Sequence, residues 1–358
     1  MTRLALPLGS WGGEQIIHAR HAKVPDHIAG ALMAALRAGE QVRGATSPNP
    51  PVGAGVFDQD GQVISVGGTQ PAGGPHAEVV ALAAAGEHAR GAEMVVTLEP
   101  CNHHGRTGPC SEAIKRAGIQ RVWFCQKDPG EAEGGGAQRL RDAGVEVRAI
   151  ELPVLALEPW LAAQRLQRPY VVGKVAQTID GFVAAHDGSS KWITGSAARQ
   201  FSHDVRANVD AIWVGTGTVL ADNPRLTARG ENGRDLPHQP QPVVVGTRPL
   251  PAELALKAPW RFSNIDLAMQ TSWQRGHRHV LVEGGPGLLT SMLRSDLVDE
   301  LHIYTAPKLL GAGKKCVDML GESIDAAKTF EMSRVQMLQP DTCTVLKRKN
   351  HDDVHRNC

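Results

Sequence analysis

Apolar positions over residues 28–147 recur with alternating helical and strand-like spacing. The segment 28–36 has helical spacing and predicts a helix that ends at Gly39. Residues 52–57 and 63–66 predict a β-hairpin with Asp60-Gly61 at its turn. The alternation continues with helices predicted at 78–85, 111–117 and 137–142 and strands at 94–98, 122–125 and 145–147. This order is typical of an α/β sandwich layered around one sheet.

A second block with the same alternation follows a predicted helix at 155–165. Its strands are predicted at 170–177, 210–214, 242–246, 279–283 and 300–305, its helices at 196–207 and 287–294, and a terminal hairpin at 334–338 and 344–348. The stretch from Ala252 to Arg278 is predicted to hold about one helix. We therefore expect a leader at 1–25, a first α/β domain at 26–150 and a second at 168–350, with their boundary within 150–167.

Charge and composition narrow the classes of function. The 358 residues carry 38 Lys and Arg against 37 Asp and Glu, and the net charge of +1 gives no strong field for nucleic acid or an acidic membrane. No apolar run approaches the roughly 18 residues of a membrane helix, and Met1 to Ser10 lacks the features of a secretion signal. Six scattered cysteines do not form a disulfide framework. The sequence predicts a globular protein of the cytoplasm.

Four residues of the first block form the pattern of a zinc site with a proton shuttle: His76, Glu78, Cys101 and Cys110. One imidazole and two thiolates are ligands that zinc prefers, and three protein ligands leave one position for water. Bound zinc lowers the pKa of that water towards about 7. Glu78 follows His76 by two residues at a helix start and can shuttle a proton to a leaving amine. This His-x-Glu…Pro-Cys…Cys arrangement is typical of zinc-dependent base deaminases.

A closed structural zinc site is the alternative, with His103 or His104 as the fourth ligand. That interpretation gives Glu78 and Pro100 no task, so the catalytic site is favoured. A non-catalytic binding module stabilised by zinc stays a rival hypothesis, which loss of deamination with retained zinc in Glu78→Ala would eliminate.

The run from Thr97 to Cys110 reads Thr-Leu-Glu-Pro-Cys-Asn-His-His-Gly-Arg-Thr-Gly-Pro-Cys, with eight residues between its cysteines. Nucleic-acid deaminases usually have two residues there. This run, with the loops 47–53 and 128–136, resembles the deaminase half of the bifunctional riboflavin-biosynthesis deaminase–reductases. The resemblance implies a cytidine-deaminase-like α/β/α domain with one zinc ion, in which Asn49 contacts a pyrimidine substrate and Arg106 lies near its phosphate.

The second block carries a glycine-rich turn at 282–287, directly before a predicted helix. Backbone N–H groups of such a turn can hold a dinucleotide's pyrophosphate. The turn is not a Gly-x-Gly-x-x-Gly fingerprint, so a standard Rossmann domain is disfavoured. Residues 168–315 instead resemble the reductase half of the same family, which implies a dihydrofolate-reductase-like α/β domain.

The resemblance implies two sets of ligand positions in this second domain. For NADPH they are Ala176, Trp192, Thr218, Asp222, Leu226, Thr247, Gly285, Pro286 and Gly287. For the ribosyl-phosphate substrate they are Ser190, Arg206, Arg229 and Glu283. The two arginines can clamp a phosphate.

Three departures from the family pattern stand out. Thr69-Gln70 occupies a place where the family often has a histidine, so one substrate contact is expected to be lost or replaced. Gly246-Thr247 follows a strand where the family usually has Asp-Ser. The interval from Gly246 to Glu283 is shorter than usual. Weaker NADPH binding or a second half that is mainly a scaffold is the alternative that this raises, and retained activity is the favoured expectation.

The resemblance implies a bifunctional enzyme of riboflavin biosynthesis, expected as a homo-oligomer. Zinc-dependent deamination of a phosphoribosylated pyrimidine precedes NADPH-dependent reduction of its ribosyl group to ribityl. Two alternatives stay open: a deaminase with a non-catalytic second domain, and a nucleic-acid base deaminase. The latter predicts a basic, aromatic-bearing surface, whereas aromatic residues make up only 4% of the chain.

Overall fold

The computed structural model describes residues 24–103, 108–130, 134–318 and 320–349. The described residues form two compact units, divided in the sequence between Gln167 and Arg168. The predicted leader, except for its last two residues, and the predicted substrate residue Arg106 lie outside the described residues. Within the described ranges, no helix combines the length and the apolar character that crossing a bilayer requires.

The first unit is built around a five-stranded sheet. Its strands are β1 (Gly53–Phe57), β2 (Val63–Gly68), β3 (Glu93–Leu98), β4 (Arg121–Gln126) and β5 (Glu146–Ala149), in the order β2-β1-β3-β4-β5. Its α-helices are α1 (Asp26–Gln41), α2 (Ala77–Ala85), α3 (Cys110–Ala117), α4 (Gly136–Asp142) and α5 (Glu158–Leu166). β1 is antiparallel to β2 and β3, whereas β3, β4 and β5 are parallel. The predicted hairpin and the helix–strand alternation are confirmed.

Helices cover both faces of this sheet. A Cβ at Gly53 would overlap the carbonyl oxygen of Ala35 in α1, and a Cβ at Gly67 would overlap that of Ala77 in α2. Gly67 pairs with Ala54, the neighbour of Gly53 on β1, so the two glycines face opposite sides of the sheet. Buried apolar side chains between these layers form the core, among them Leu32, Val56 and Met94. The expected α/β/α architecture is confirmed.

The predicted end of α1 at Gly39 is wrong, because the helix continues to Gln41. Gly39 is buried, and a Cβ there would lie 3.0 Å from the carbonyl oxygen of Pro51. The glycine therefore permits close packing of the helix against the start of β1 instead of ending the helix.

The second unit contains an eight-stranded sheet and a separate β7–β13 pair. Its strands are β6 (Tyr170–Thr178), β7 (Phe182–Ala184), β8 (Ala211–Gly215), β9 (Gln241–Val245), β10 (Trp260–Phe262), β11 (His279–Val282), β12 (Glu300–Ala306), β13 (Lys314–Lys315), β14 (Phe330–Leu338) and β15 (Asp341–Arg348). Its α-helices are α6 (Ser196–Ala207), α7 (Thr216–Asp222), α8 (Ile265–Gln274) and α9 (Pro286–Arg294). The large sheet has the order β10-β9-β8-β11-β6-β12-β15-β14.

The six strands from β10 to β12 in this order are parallel, and the terminal hairpin β14–β15 is antiparallel. The carboxyl ends of the parallel strands therefore meet at one edge. Segments that follow β8, β9, β10 and β11 are brought together there, as is usual for ligand sites of open α/β sheets.

The prediction of a single helix in residues 252–278 is wrong, because this stretch holds both β10 and α8. β10 has three residues, each paired in parallel register with β9, and α8 begins three residues later. So short a strand shows no recognisable period. The sequence prediction also missed β7, α7 and β13, which are likewise short.

Candidate active site

His76, Cys101 and Cys110 converge at the ends of three elements. His76 immediately precedes α2, Cys101 follows β3 after a short turn, and Cys110 is the first residue of α3. Their ligand atoms all lie within 4.8 Å of one another. His76 Nδ1 lies 3.4 Å from Cys110 Sγ and 3.6 Å from Cys101 Sγ.

The surroundings favour a thiolate at Cys101. The hydrogen bond with the Cys110 side chain is the largest influence on the Cys101 pKa, and His76 and the Cys110 backbone N–H act in the same direction. Together they outweigh burial and lower the pKa of Cys101 to about 4. The Cys110 N–H, at the start of α3, donates to Cys101 Sγ over 3.4 Å. Such a sulfur is ready to bind a cation.

The donor set fits zinc. One imidazole nitrogen and two sulfurs form a donor set that binds zinc in preference to hard cations. His103 does not belong to this cluster in the described part of the chain, and His104 lies outside that part. The described donors thus number three, as in zinc sites that keep a position for water.

Glu78 lies in the first turn of α2, beside the ligand cluster, and is 4% exposed. Burial raises the pKa of Glu78 to about 7, and the nearby charge of Cys101 adds to this rise. A carboxyl group with such a pKa can both accept and release a proton near neutral pH.

The loop that contains Asn49 is anchored to the end of the sheet by hydrogen bonds. The Gly53 N–H donates to Thr97 Oγ1 on β3, and the Val52 N–H donates to Thr69 Oγ1. Thr69 is 2% exposed, so its side chain belongs to the framework of this loop. Trp160 Nε1 donates to the carbonyl oxygen of Pro48 over 2.9 Å. These contacts define the loop on which Asn49 lies.

In the second unit, a cavity of about 800 Å³ opens at the carboxyl ends of the parallel strands. Most predicted ligand positions line it: Ala176, Ser190, Thr218, Asp222, Glu283, Gly285, Pro286 and Gly287. Trp192, Leu226, Thr247, Arg206 and Arg229 are described residues outside its lining.

Glu283 joins a group of charged side chains at the cavity wall. Arg206 donates to its carboxylate through Nε over 2.6 Å and Nη2 over 2.8 Å, and Lys174 Nζ lies 3.9 Å away. Burial by itself would raise the pKa of Glu283, but the charges of Arg206 and Lys174 outweigh it and lower the pKa to about 2. The Arg206 fork is thus engaged by a carboxylate in this structure.

Arg229 lies close enough to Arg206 for the two guanidinium charges to repel. Burial and then this repulsion lower the pKa of Arg229. Its Nε is buried and lacks a hydrogen-bond partner in the described part of the protein. Such a donor fits an anionic ligand group.

Lys174 and Arg248 also line the cavity, although neither residue was predicted from the sequence to have a role there. Lys174 lies on β6 between Gly173 and Val175, in an otherwise mostly apolar strand. A lysine in such a strand was the available signal, because buried lysines need a partner or a function. Arg248 follows β9 in an exposed segment and gave no comparable signal.

Comparison with known proteins agrees with this arrangement. Residues 28–126 match the family described as the cytidine and deoxycytidylate deaminase zinc-binding region. The fold and the first site thus define a deaminase of the zinc-binding class, followed in the chain by a second α/β domain with a cavity of about 800 Å³. Residues 169–344 match the RibD C-terminal domain. The chain belongs to the RibD family of riboflavin biosynthesis proteins, which combines a deaminase with a reductase.

Individual relatives cover most of the chain. The riboflavin biosynthesis protein RibD of Corynebacterium ammoniagenes is 49% identical over 79% of this chain and 87% of its own length. The RibD structure of Acinetobacter baumannii has a TM-score of 0.81, with 33% identity over 90% of this chain and 99% of its own. A Thermotoga maritima diaminohydroxyphosphoribosylaminopyrimidine deaminase/5-amino-6-(5-phosphoribosylamino)uracil reductase has a TM-score of 0.79, with 28% identity over 94% of this chain and 100% of its own. These relatives favour a bifunctional enzyme over a deaminase alone or a nucleic-acid deaminase.

Proposed function

We propose that this chain catalyses two consecutive reactions on one phosphoribosylated pyrimidine. The first unit removes the 2-amino group of 2,5-diamino-6-(5-phosphoribosylamino)pyrimidin-4(3H)-one as ammonia, with one water consumed. The second unit reduces the ribosyl group of the product to ribityl with NADPH. The observation that carries the proposal is the convergence of His76, Cys101 and Cys110 within 4.8 Å beside the buried Glu78.

In the first reaction, His76, Cys101 and Cys110 would hold one zinc ion, which supplies a water molecule of lowered pKa. Glu78 accepts a proton from the water that attacks the ring carbon and returns it to the departing amino group. Its pKa of about 7 suits both transfers. Asn49 is proposed to orient the pyrimidine ring, and Arg106 is proposed to bind the phosphate.

In the second reaction, the cavity lined by Thr218, Asp222 and Gly285 would hold NADPH, which would supply a hydride for the first sugar carbon of the ring-opened ribosyl group. The turn before α9 offers backbone N–H groups for the pyrophosphate. Thr218 Oγ1 fixes that turn by accepting from the Gly285 N–H over 2.8 Å. Lys174, whose pKa burial lowers, is placed to provide the proton that accompanies hydride transfer.

Substrate phosphate in the second unit is proposed to bind Arg229 and Ser190, of which only Ser190 lines the cavity. Arg206 positions Glu283 and also donates to the carbonyl oxygen of Thr227 over 3.1 Å. The remaining NADPH positions, Trp192, Leu226 and Thr247, stay predictions from the family resemblance. A homo-oligomer, a cytoplasmic location and the absence of nucleic-acid binding also stay predictions.

The test is incubation of purified protein with the diaminopyrimidinone phosphate, followed by mass analysis of the products. Without NADPH we expect only the deaminated ribosyl compound, and with NADPH the ribityl compound. Glu78→Gln should slow deamination by about 10²–10⁴-fold, with zinc content and NADPH affinity unchanged. Glu87→Gln, an exposed carboxylate just beyond α2, is the matched control. Unaltered substrate in the unmutated protein would refute the proposed deamination.

A further inference from the structure

The turn that contains Cys101 packs against the first residue of α4. Gly136 begins α4, and a Cβ there would lie 1.8 Å from the carbonyl oxygen of Pro100 and 2.8 Å from its carbonyl carbon. The backbone on both sides leaves no room for a side chain, so alanine at this position would displace either Pro100 or α4. Because Cys101 is the next residue after Pro100, its sulfur would be displaced as well.

Glu99 connects the same turn to α4 by a hydrogen bond. Its Oε1 accepts from the Ala137 N–H over 3.1 Å. That N–H belongs to the first turn of α4, where backbone N–H groups have no partner within the helix. The Glu99 N–H donates to the carbonyl oxygen of Gln126 over 2.8 Å, at the end of β4. Glu99 is thus bonded to the sheet by its backbone and to α4 by its side chain.

The turn is also bonded to α3, whose first residue is Cys110. The Ser111 N–H donates to the carbonyl oxygen of Cys101 over 3.2 Å. α4 contacts α3 as well, because Arg139 Nη2 donates to Glu112 Oε1 over 2.8 Å. The turn and the two helices therefore form one connected set of contacts around the two sulfurs.

Neither Glu99 nor Gly136 belongs to the ligand cluster itself, whose donor atoms come from His76, Cys101 and Cys110. Residues that contact metal ligands fix the orientation of those ligands, and their loss weakens metal binding. Glu99 and Gly136 have this relation to Cys101, one through a hydrogen bond and the other through the absence of a side chain.

We infer that Glu99 and Gly136 are positioning residues of the metal site. Through the Pro100–Cys101 turn, they let α4 hold the Cys101 sulfur close to His76 and Cys110, where the three residues can share one zinc ion. This inference rests on the proposed zinc-dependent deamination.

The experiment measures the zinc affinity of the full chain by competition with a chromophoric chelator, after bound metal has been removed. Gly136→Ala and Glu99→Ala should each weaken zinc binding by about 10- to 100-fold. Glu99→Gln should retain most of the affinity, because its amide oxygen can still accept from the Ala137 N–H. In protein loaded with Co²⁺ instead, the thiolate-to-cobalt absorption should weaken or shift in the two alanine variants and stay unchanged in Glu99→Gln.

Gly144→Ala is the matched control. Gly144 lies two residues after α4, and its φ of 85° disfavours alanine although open space surrounds it. This variant should lower the free energy of unfolding without changing the zinc affinity or the Co²⁺ absorption. Circular dichroism shows whether each variant is folded, and if Gly136→Ala is not, the two Glu99 variants decide.

Unchanged zinc affinity in Glu99→Ala or in folded Gly136→Ala would overturn the role of that residue. A loss in Glu99→Gln or Gly144→Ala as large as that in the other variants would overturn the inference, because general destabilisation would then explain the losses. Zinc binding by the unmutated chain without deamination of the diaminopyrimidinone phosphate would refute the proposed function and leave the positioning roles intact. Absence of zinc binding by the unmutated chain would overturn both.

Discussion

The two units build their sites in different ways. In the first unit, the ligands and the acid lie at the starts of two helices and in the turn after β3, all within residues 76–110. In the second unit, Lys174, Arg206 and Glu283 come from β6, α6 and the end of β11, far apart in the chain. A site of the first kind depends on local spacing, whereas one of the second kind depends on the sheet order.

The largest effect is expected from Cys110→Ala, which should abolish one reaction and spare the other. Cys110→Ala removes one of three ligands, so bound zinc should be lost. Deamination should fall by more than about 100-fold, because losing a residue that only hydrogen-bonds to a ligand already costs up to about that much. Reduction of supplied deaminated intermediate should persist. Metal analysis and separate assays of the two steps measure this, with the buried Cys125→Ala on β4 as control. Stoichiometric zinc in Cys110→Ala would contradict the assignment.

The reciprocal change is Lys174→Met, which removes the cavity lysine and keeps the length of the side chain. Loss of a positioned proton donor should lower kcat of reduction by about 10²–10⁴-fold, while deamination and the Kd for NADPH stay unchanged. Stopped-flow hydride transfer and NADPH titration are the measurements. The exposed Lys257→Met serves as control. Equal losses in both reactions would indicate a general structural defect instead.

Acid should destabilise the second unit through Glu283. The pKa of Glu283 is lowered from 4.5 to about 2 in the folded chain. Its ionised carboxylate therefore stabilises the fold fully above about pH 4.5, and this stabilisation is lost as the pH falls towards 2. This lowering corresponds to about 3 kcal/mol of folding stability. Urea unfolding between pH 7 and pH 3 should show the loss. In Glu283→Gln, which cannot ionise, the pH dependence should be shallower; an unchanged slope would contradict the expectation.

A smaller effect is expected at Gly246. Gly246→Ala should destabilise the second unit by about 1–3 kcal/mol, because its φ of 128° and the nearby Thr216 hydroxyl both disfavour a Cβ. Gly233 also has a positive φ, 73°, but open space surrounds it. Gly233→Ala should therefore lower the free energy of unfolding by less. Chemical denaturation of both variants provides the comparison, and equal losses would show that crowding by Thr216 is unimportant.

The fold and the zinc cluster were largely predictable from the sequence. Period and turn residues indicated most helices and strands, and α6 was predicted at its observed bounds, 196–207. The spacing of His76, Glu78, Cys101 and Cys110 sufficed because each residue lies at the beginning of a helix or shortly after a strand. Local pattern and local geometry agree there.

The second site was harder to predict for a physical reason. Arg206 was expected to bind phosphate, but the partner that it contacts, Glu283, is separated from it by 77 residues. Only the placement of β11 next to β8 brings them together. The position of Arg248 at the cavity depends likewise on the pairing of β9 with β10. β10 is too short to show a periodic pattern in the sequence. Periodicity and turn residues in a short stretch of sequence do not reveal such long-range strand pairings.

The position of β11 also has a consequence for biosynthesis of the chain. β11 lies between β8 and β6, although both precede it by more than 60 residues. During translation the earlier strands must wait for residues 279–282 before their open hydrogen-bonding edges are filled. Such long-range parallel pairing folds slowly and leaves strand edges exposed to other nascent chains. The last strand of the first unit ends at Ala149. The strands of that unit therefore have unpaired edges for a shorter part of translation.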